Sequence, residues 1–98
     1  MSALSWKLPA VTTLTDLVVA TSATTISNLL ATNTTVGSAT FTVTVTDAAN
    51  AILATLVSNG TLTANTSIQL GGVVLNNGDK LRVTSSASTS FIASGWTE

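Results

Sequence analysis

The chain has 98 residues, with three cationic and four acidic side chains for a formal net charge of −1. It contains no His and no Cys, so it lacks the commonest general base, the commonest metal ligand and any disulfide or thiolate brace. Three scattered cations, Lys7, Lys80 and Arg82, cannot line a phosphate backbone, so nucleic acid is not an expected partner.

A chain of this size makes one domain around a single core. The start lacks the apolar run of a signal peptide, and no stretch approaches a membrane span. No membrane partner is therefore expected, and synthesis in the cytoplasm of a host cell is. Twenty Thr, twelve Ser and seven Asn solvate the chain in place of charge. Such a surface suits a protein packed into an assembly, where electrostatic steering matters less.

The first element is "SWKLPA". Pro9 disfavours helix in the residue before it, so residues 1–10 read as an extended N-terminal arm ahead of a single domain at 11–98. Trp6, Lys7 and Leu8 on this arm are candidate interface residues, because Trp is enriched at interface hot spots. The alternative is that Trp6 folds back as a lid over its own domain. Trp96, near the other terminus, faces the same choice.

Strand candidates follow at short spacing: "TDLVVAT", "TISNLLAT", then "ATFTVTVTD". In the last, Ala39, Phe41, Val43 and Val45 alternate with Thr40, Thr42, Thr44 and Thr46, which is the pattern of a half-buried strand. "ILATLVS" comes next. Ala and Leu would favour helix there, but Thr55, Val57 and Ser58 weaken it and "NG" follows, so strand is the reading. "TSIQLG", "VVLN", "KLRVTS" and "SFIASGW" complete the set. Turn signals separate them: "TNTTVGS", "DAAN", "SNGT", "TAN", "GG", "NNGD" and "SAST". About seven to eight short strands at this spacing predict an all-β fold, an antiparallel β-sandwich or jelly-roll-like domain.

Asn76, Asn77, Gly78 and Asp79 lie between Val73–Leu75 and Leu81–Val83. Asn and Gly tolerate positive φ and Asp can bond the backbone two residues on, so this reads as the structural turn of a hairpin. Leu81 and Val83 should face inward, leaving Lys80 and Arg82 outward and wet. One carboxylate is too few for a calcium loop, and a phosphate loop would need a following helix and another glycine spacing. No metal, cofactor or catalytic residue is assigned. Asp16, Asp47 and Asp79 show no paired spacing for acid–base work.

The stretch "TLTANTSIQLGGVVLNNGDKLRVTSSASTSFIASGWTE" resembles small β proteins encoded among the virion genes of tailed bacteriophages. "NLLATNTTVGSATFTVTVTD" is similar to their first half, so the resemblance covers roughly residues 24–98. It implies a non-enzymatic β-sandwich on a virion, made in the host bacterial cytoplasm. The implied role is a capsid decoration or cement protein, or a neck or tail accessory piece. The implied partners are the major capsid protein or neighbouring virion subunits, with copies of the chain forming a homo-oligomer in the assembly. A different reading is a Thr-rich ice- or carbohydrate-binding module, prompted by the row Thr40, Thr42, Thr44 and Thr46. Thr is, however, a favoured outward strand residue, and parallel rows from a solenoid are missing.

Overall fold

The computed structural model describes residues 2–98. The described chain is all strand and connection: β1 (Ser2–Val11), β2 (Thr15–Val19), β3 (Thr24–Asn33), β4 (Ala39–Thr46), β5 (Ile52–Leu62), β6 (Ser67–Leu70), β7 (Val73–Leu75), β8 (Lys80–Ser85) and β9 (Thr89–Thr97). They form two antiparallel sheets. Sheet A has the order β1-β9-β3-β6, with β7 also on β3, and sheet B the order β2-β8-β4-β5. β7 pairs with Thr24–Ile26 and β6 with Leu29–Thr32, so the two share one edge position along β3. The break between them falls at Gly71 and Gly72. Counted this way, two four-stranded sheets exchange strands as in a jelly roll.

The core lies between the sheets. Phe41 of β4 and Phe91 of β9 meet at its centre, their ring centroids 6.3 Å apart and tilted by 52°. Ile26, Leu75, Leu81, Val43, Val83 and Ala93 around them are fully buried. On β4 the alternation holds by face, with Ala39, Phe41, Val43 and Val45 in the core. Thr44 and Thr46 on the opposite face are also buried, at 8% and 2% exposure. These short side chains sit between longer ones: Arg82 and Lys80 pair with them from β8, and Ile52 pairs with Thr46 from β5.

Several strands carry an extra residue, which alternation alone does not foresee. Leu17 is unpaired between Asp16 and Val18 in β2, which lets both Leu17 and Val18 reach the core. Ser27 bulges from β3 and its hydroxyl donates to the Ser94 carbonyl at 3.1 Å. Beside that bulge, Gly95 has no room for a side chain, because a Cβ there would collide with the Thr25 carbonyl oxygen.

Three sequence expectations are revised. The arm expected at residues 1–10 is extended, but from Ser2 to Val11 it is strand β1, laid antiparallel along β9 from Thr97 to Thr89; Met1 lies outside the described residues. Pro9 falls where the register shifts between Leu8 and Val11, on an edge strand that can spare its N–H. The "SNGT" turn is not a turn. β5 runs through it to Leu62, with Asn59 at φ 50° absorbing an irregularity in the ladder. The hairpin at 76–79 is not a hairpin either, since β7 belongs to sheet A and β8 to sheet B. The turn carries the chain across the sandwich. Local residue choice is the same for both jobs; only the pairing partners differ.

Candidate functional site

The turn itself forms as its residues dictate. The Asp79 N–H donates to the Asn76 carbonyl at 3.0 Å, and the Asn76 N–H to Asp79 Oδ2 at 3.1 Å. Gly78 takes φ 93°, and its N–H donates to the Ala20 carbonyl at 2.8 Å. Ala20 N–H returns a bond to the Asp79 carbonyl at 2.9 Å. Asn77 sits exposed at the tip. The polar groups here are spent on the fold.

The cations behind the turn are not simply wet. Arg82 Nε donates to Asp16 Oδ1 at 2.7 Å, and Lys80 Nζ lies 3.8 Å from Asp16 Oδ2. Lys80 also donates to Asn50 Oδ1 at 3.0 Å. Both cationic side chains keep only 18% of their surface exposed. Asp16 and Arg82 are direct cross-strand partners of β2 and β8, so the sheet register builds this pair. Arg82 thus answers a carboxylate 66 residues away along the chain.

The four expected interface residues are divided between two faces. Directly opposite residues share a face of the sheet. Trp6 pairs with Ala93 and Leu8 with Phe91, both of them core residues, and Trp6 and Leu8 pack half-buried against that core. Lys7 pairs with Ile92, and Trp96 with Ala3, on the outer face. Trp96 lies four residues along β9 from Ile92, or about 13 Å at strand rise. Trp6 thus covers its own sandwich. Trp96 stays 39% exposed, and shares a row with Thr25 and the exposed Val74.

The threonine row does not form a continuous exposed array. Thr40 is exposed and Thr42 half-buried, but Thr44 and Thr46 are closed off. Among the described residues no ligand-sized cleft opens, and no three His, Cys, Asp or Glu side chains converge.

Charge and apolar exposure are unevenly distributed. No charged residue occurs between Asp47 and Asp79. That stretch contains β5, β6 and β7, the outer strands of the two sheets on one side of the sandwich, joined by the short turn at 63–66. Every residue from Ala51 to Leu56 is exposed, including Ile52 at 66% and Leu53 at 56%. Ile68 and Val74 are exposed on the same side. Sequence reading missed this surface, although the long uncharged run was its visible signal.

The connections 12–14, 34–38, 63–66 and 86–88 gather at one end and are also uncharged. A single side chain ties much of that end together. Asn33 is fully buried; its Nδ2 donates to the Gly37 and Leu62 carbonyls at 2.8 and 3.0 Å. Its Oδ1 accepts the Thr35 N–H at 2.9 Å.

No protein-family model matches the chain, and no curated protein matches it in sequence. Solved structures do match in fold. The VP2 protein of infectious bursal disease virus, from derived T=1 particles, aligns over 98% of this chain with TM-score 0.54 and 12% identity. The T13 particle of the same virus aligns over 98% with TM-score 0.53 and 12% identity. A pentameric capsid protein isolated from metagenomic phage sequences aligns over 97% of this chain and 59% of its own length, with 18% identity and TM-score 0.48. The chain spans about a third of the length of these two viral chains, 32% and 31%. By the two alignments with TM-scores above 0.5, the sandwich has a β fold found in virus particles.

Proposed function

We propose that the chain is a non-enzymatic structural protein of a tailed-phage virion, a decoration or cement protein seated on the capsid shell. The observation that carries this reading is the alignment of nearly the whole chain, 98%, with a sandwich in virus particles. The residue resemblance over 24–98 and the charge-poor, hydroxyl-rich surface support it independently. The partners are the major capsid protein and neighbouring copies, and the protein is made in the host bacterial cytoplasm. A neck or tail accessory role fits the same fold and differs in copy number: a decoration protein coats the shell, whereas a neck or tail piece is present in few copies.

Contact with the shell is assigned to the outer face of sheet A, with Trp96 as the apolar anchor and Lys7 on the same face. An exposed Trp at the centre of a contact is the residue type that most often dominates binding energy. Trp6 and Leu8 serve this face from behind by holding β1 onto β9. The test is mass spectrometry of gradient-purified particles from cells producing the chain or its Trp96→Ser variant. The chain should band with particles and the variant should stay at the top of the gradient. Absence of the unaltered chain from particles would refute the assignment.

A further inference from the structure

We infer that the uncharged side of the sandwich, built by β5, β6 and β7, is the surface on which a second copy of this chain docks. This deepens the homo-oligomer part of the proposed function by naming its surface. It is tested on the isolated chain, so its failure is separable from failure to find the chain in particles.

The argument starts from how sheet edges are normally protected. An exposed edge strand is blunted by charge, by Pro, by shortness or by bulges. β1 has Lys7 and Pro9, and β2 is five residues long and carries Asp16. β6 and β7 are short, four and three residues. β5 is the exception: eleven residues with no charge and no Pro. Its protection consists of register shifts against β4 at three places. These leave Leu53 and Leu56 without a partner on β4, and both are exposed. The bulges discourage a continuous intermolecular ladder while presenting apolar side chains. "AILATL" is an uncharged, largely apolar segment, and such a segment left bare on a long edge strand is an aggregation hazard. Side-chain docking that covers it removes the hazard.

Two observations select a second copy as the occupant. A two-fold contact sets one patch against itself, so charge near its axis would meet like charge. Between Asp47 and Asp79 there is none, so this patch can face its own copy without burying a charge, whereas a contact on the β1–β2 side would have to take in Lys7 and Asp16. The area is also sufficient. Strands of about ten residues run roughly 33 Å, which aligns them with the 39 Å long axis of the molecule. With a whole-molecule long axis of 39 Å and smallest extent of 18 Å, a side of this sandwich offers at most roughly 700 Å2, within the ~600–1,000 Å2 per partner of a standard interface.

The experiment is sedimentation equilibrium and light scattering on the full chain from micromolar to millimolar concentration. The unaltered chain should have the mass of a dimer or higher oligomer. Leu53→Glu and Leu56→Lys should weaken association roughly 30-fold or more, the loss expected for a central contact, with unchanged circular dichroism. Val19→Glu, exposed on β2 at the opposite edge of sheet B, should associate as the unaltered chain does. Because the chain has no Cys, Leu56→Cys places one thiol per copy near the middle of β5. Mild oxidation should then yield a covalent dimer, and Val19→Cys should not; this holds the test open if a charged variant fails to fold. A chain that stays monomeric throughout the series overturns the inference. So does a Leu53→Glu variant that associates normally, or a cross-link that forms equally well from Val19→Cys.

Discussion

Replacing Asn33 tests how the uncharged end of the sandwich is held together. The side chain is fully buried and donates to the carbonyls of Gly37 and Leu62 while accepting from Thr35 N–H. In Asn33→Ala the groups of the exposed 34–38 connection can turn to water, but the Leu62 bond is in the buried interior. A stranded buried carbonyl costs about 1–3 kcal/mol. With the void and the loosened loop, the total is about 2–4 kcal/mol, a large share of the ~5–15 kcal/mol that holds a domain together. For a domain of this size the melting temperature should fall roughly 10–30 °C. Asn33→Asp sharpens the test because its shape is the same. The amide nitrogen becomes an oxygen facing two carbonyl acceptors, so at neutral pH it should be at least as destabilised as the Ala variant. Burial raises the carboxyl's folded pKa above its unfolded value. Its neutral form, able to donate to one carbonyl, is therefore favoured below the unfolded pKa, and that benefit is lost as pH rises through the folded pKa. The deficit of Asn33→Asp relative to the unaltered chain should narrow as pH falls from neutral towards 4, read by thermal melts at each pH. An Asn33→Asp variant that melts with the unaltered chain at neutral pH would refute the assigned hydrogen bonds.

Phe41→Ala should cost about 3–5 kcal/mol, measured by urea unfolding, because Phe41 is 1% exposed and packs with its ring tilted against Phe91 at the core's centre. Gly78→Val should cost about 1–3 kcal/mol through backbone strain alone: φ is 93°, and an added Cβ comes no closer than 4.0 Å to Ala48. A melt unchanged by that substitution would contradict the strain. Asp16→Ala should destabilise by about 1 kcal/mol at low salt and less at high salt, since it removes the partner of Arg82 and Lys80. Deleting residues 2–9 should lower the melting temperature clearly, because it uncovers the β9 edge and removes Trp6 and Leu8 from the core's margin.

The apolar segments from "TDLVVAT" to "SFIASGW" all became strands, because short β-branched runs between turn residues have few other uses. Of β1, only the extended conformation ahead of Pro9 is legible; that it forms a strand depends on β9 as its partner. What stayed hidden depends on partners. A bulge such as Leu17 exists only relative to β8, and the 76–79 turn crosses between sheets rather than closing a hairpin because β7 pairs with β3. Asn33 sits in "TNTT", which reads as an ordinary turn; only its complete burial reveals a structural tie. For the candidate interface, the choice between lid and outward anchor for Trp6 depends on its partner Ala93 on β9, and the inward turn of Leu8 on its partner Phe91. The exposed face of β5 was written in the absence of charge between Asp47 and Asp79, but its meaning needed the topology that puts those strands on one side.

The most direct test of the virion role is a cryo-electron microscopy map of particles purified from cells that make the chain. The predicted result is a jelly-roll density on the outer surface of the shell, with the sheet A face bearing Trp96 against the shell. Shells of intact particles that carry no density for this sandwich, at the surface or at the neck and tail, would contradict the account.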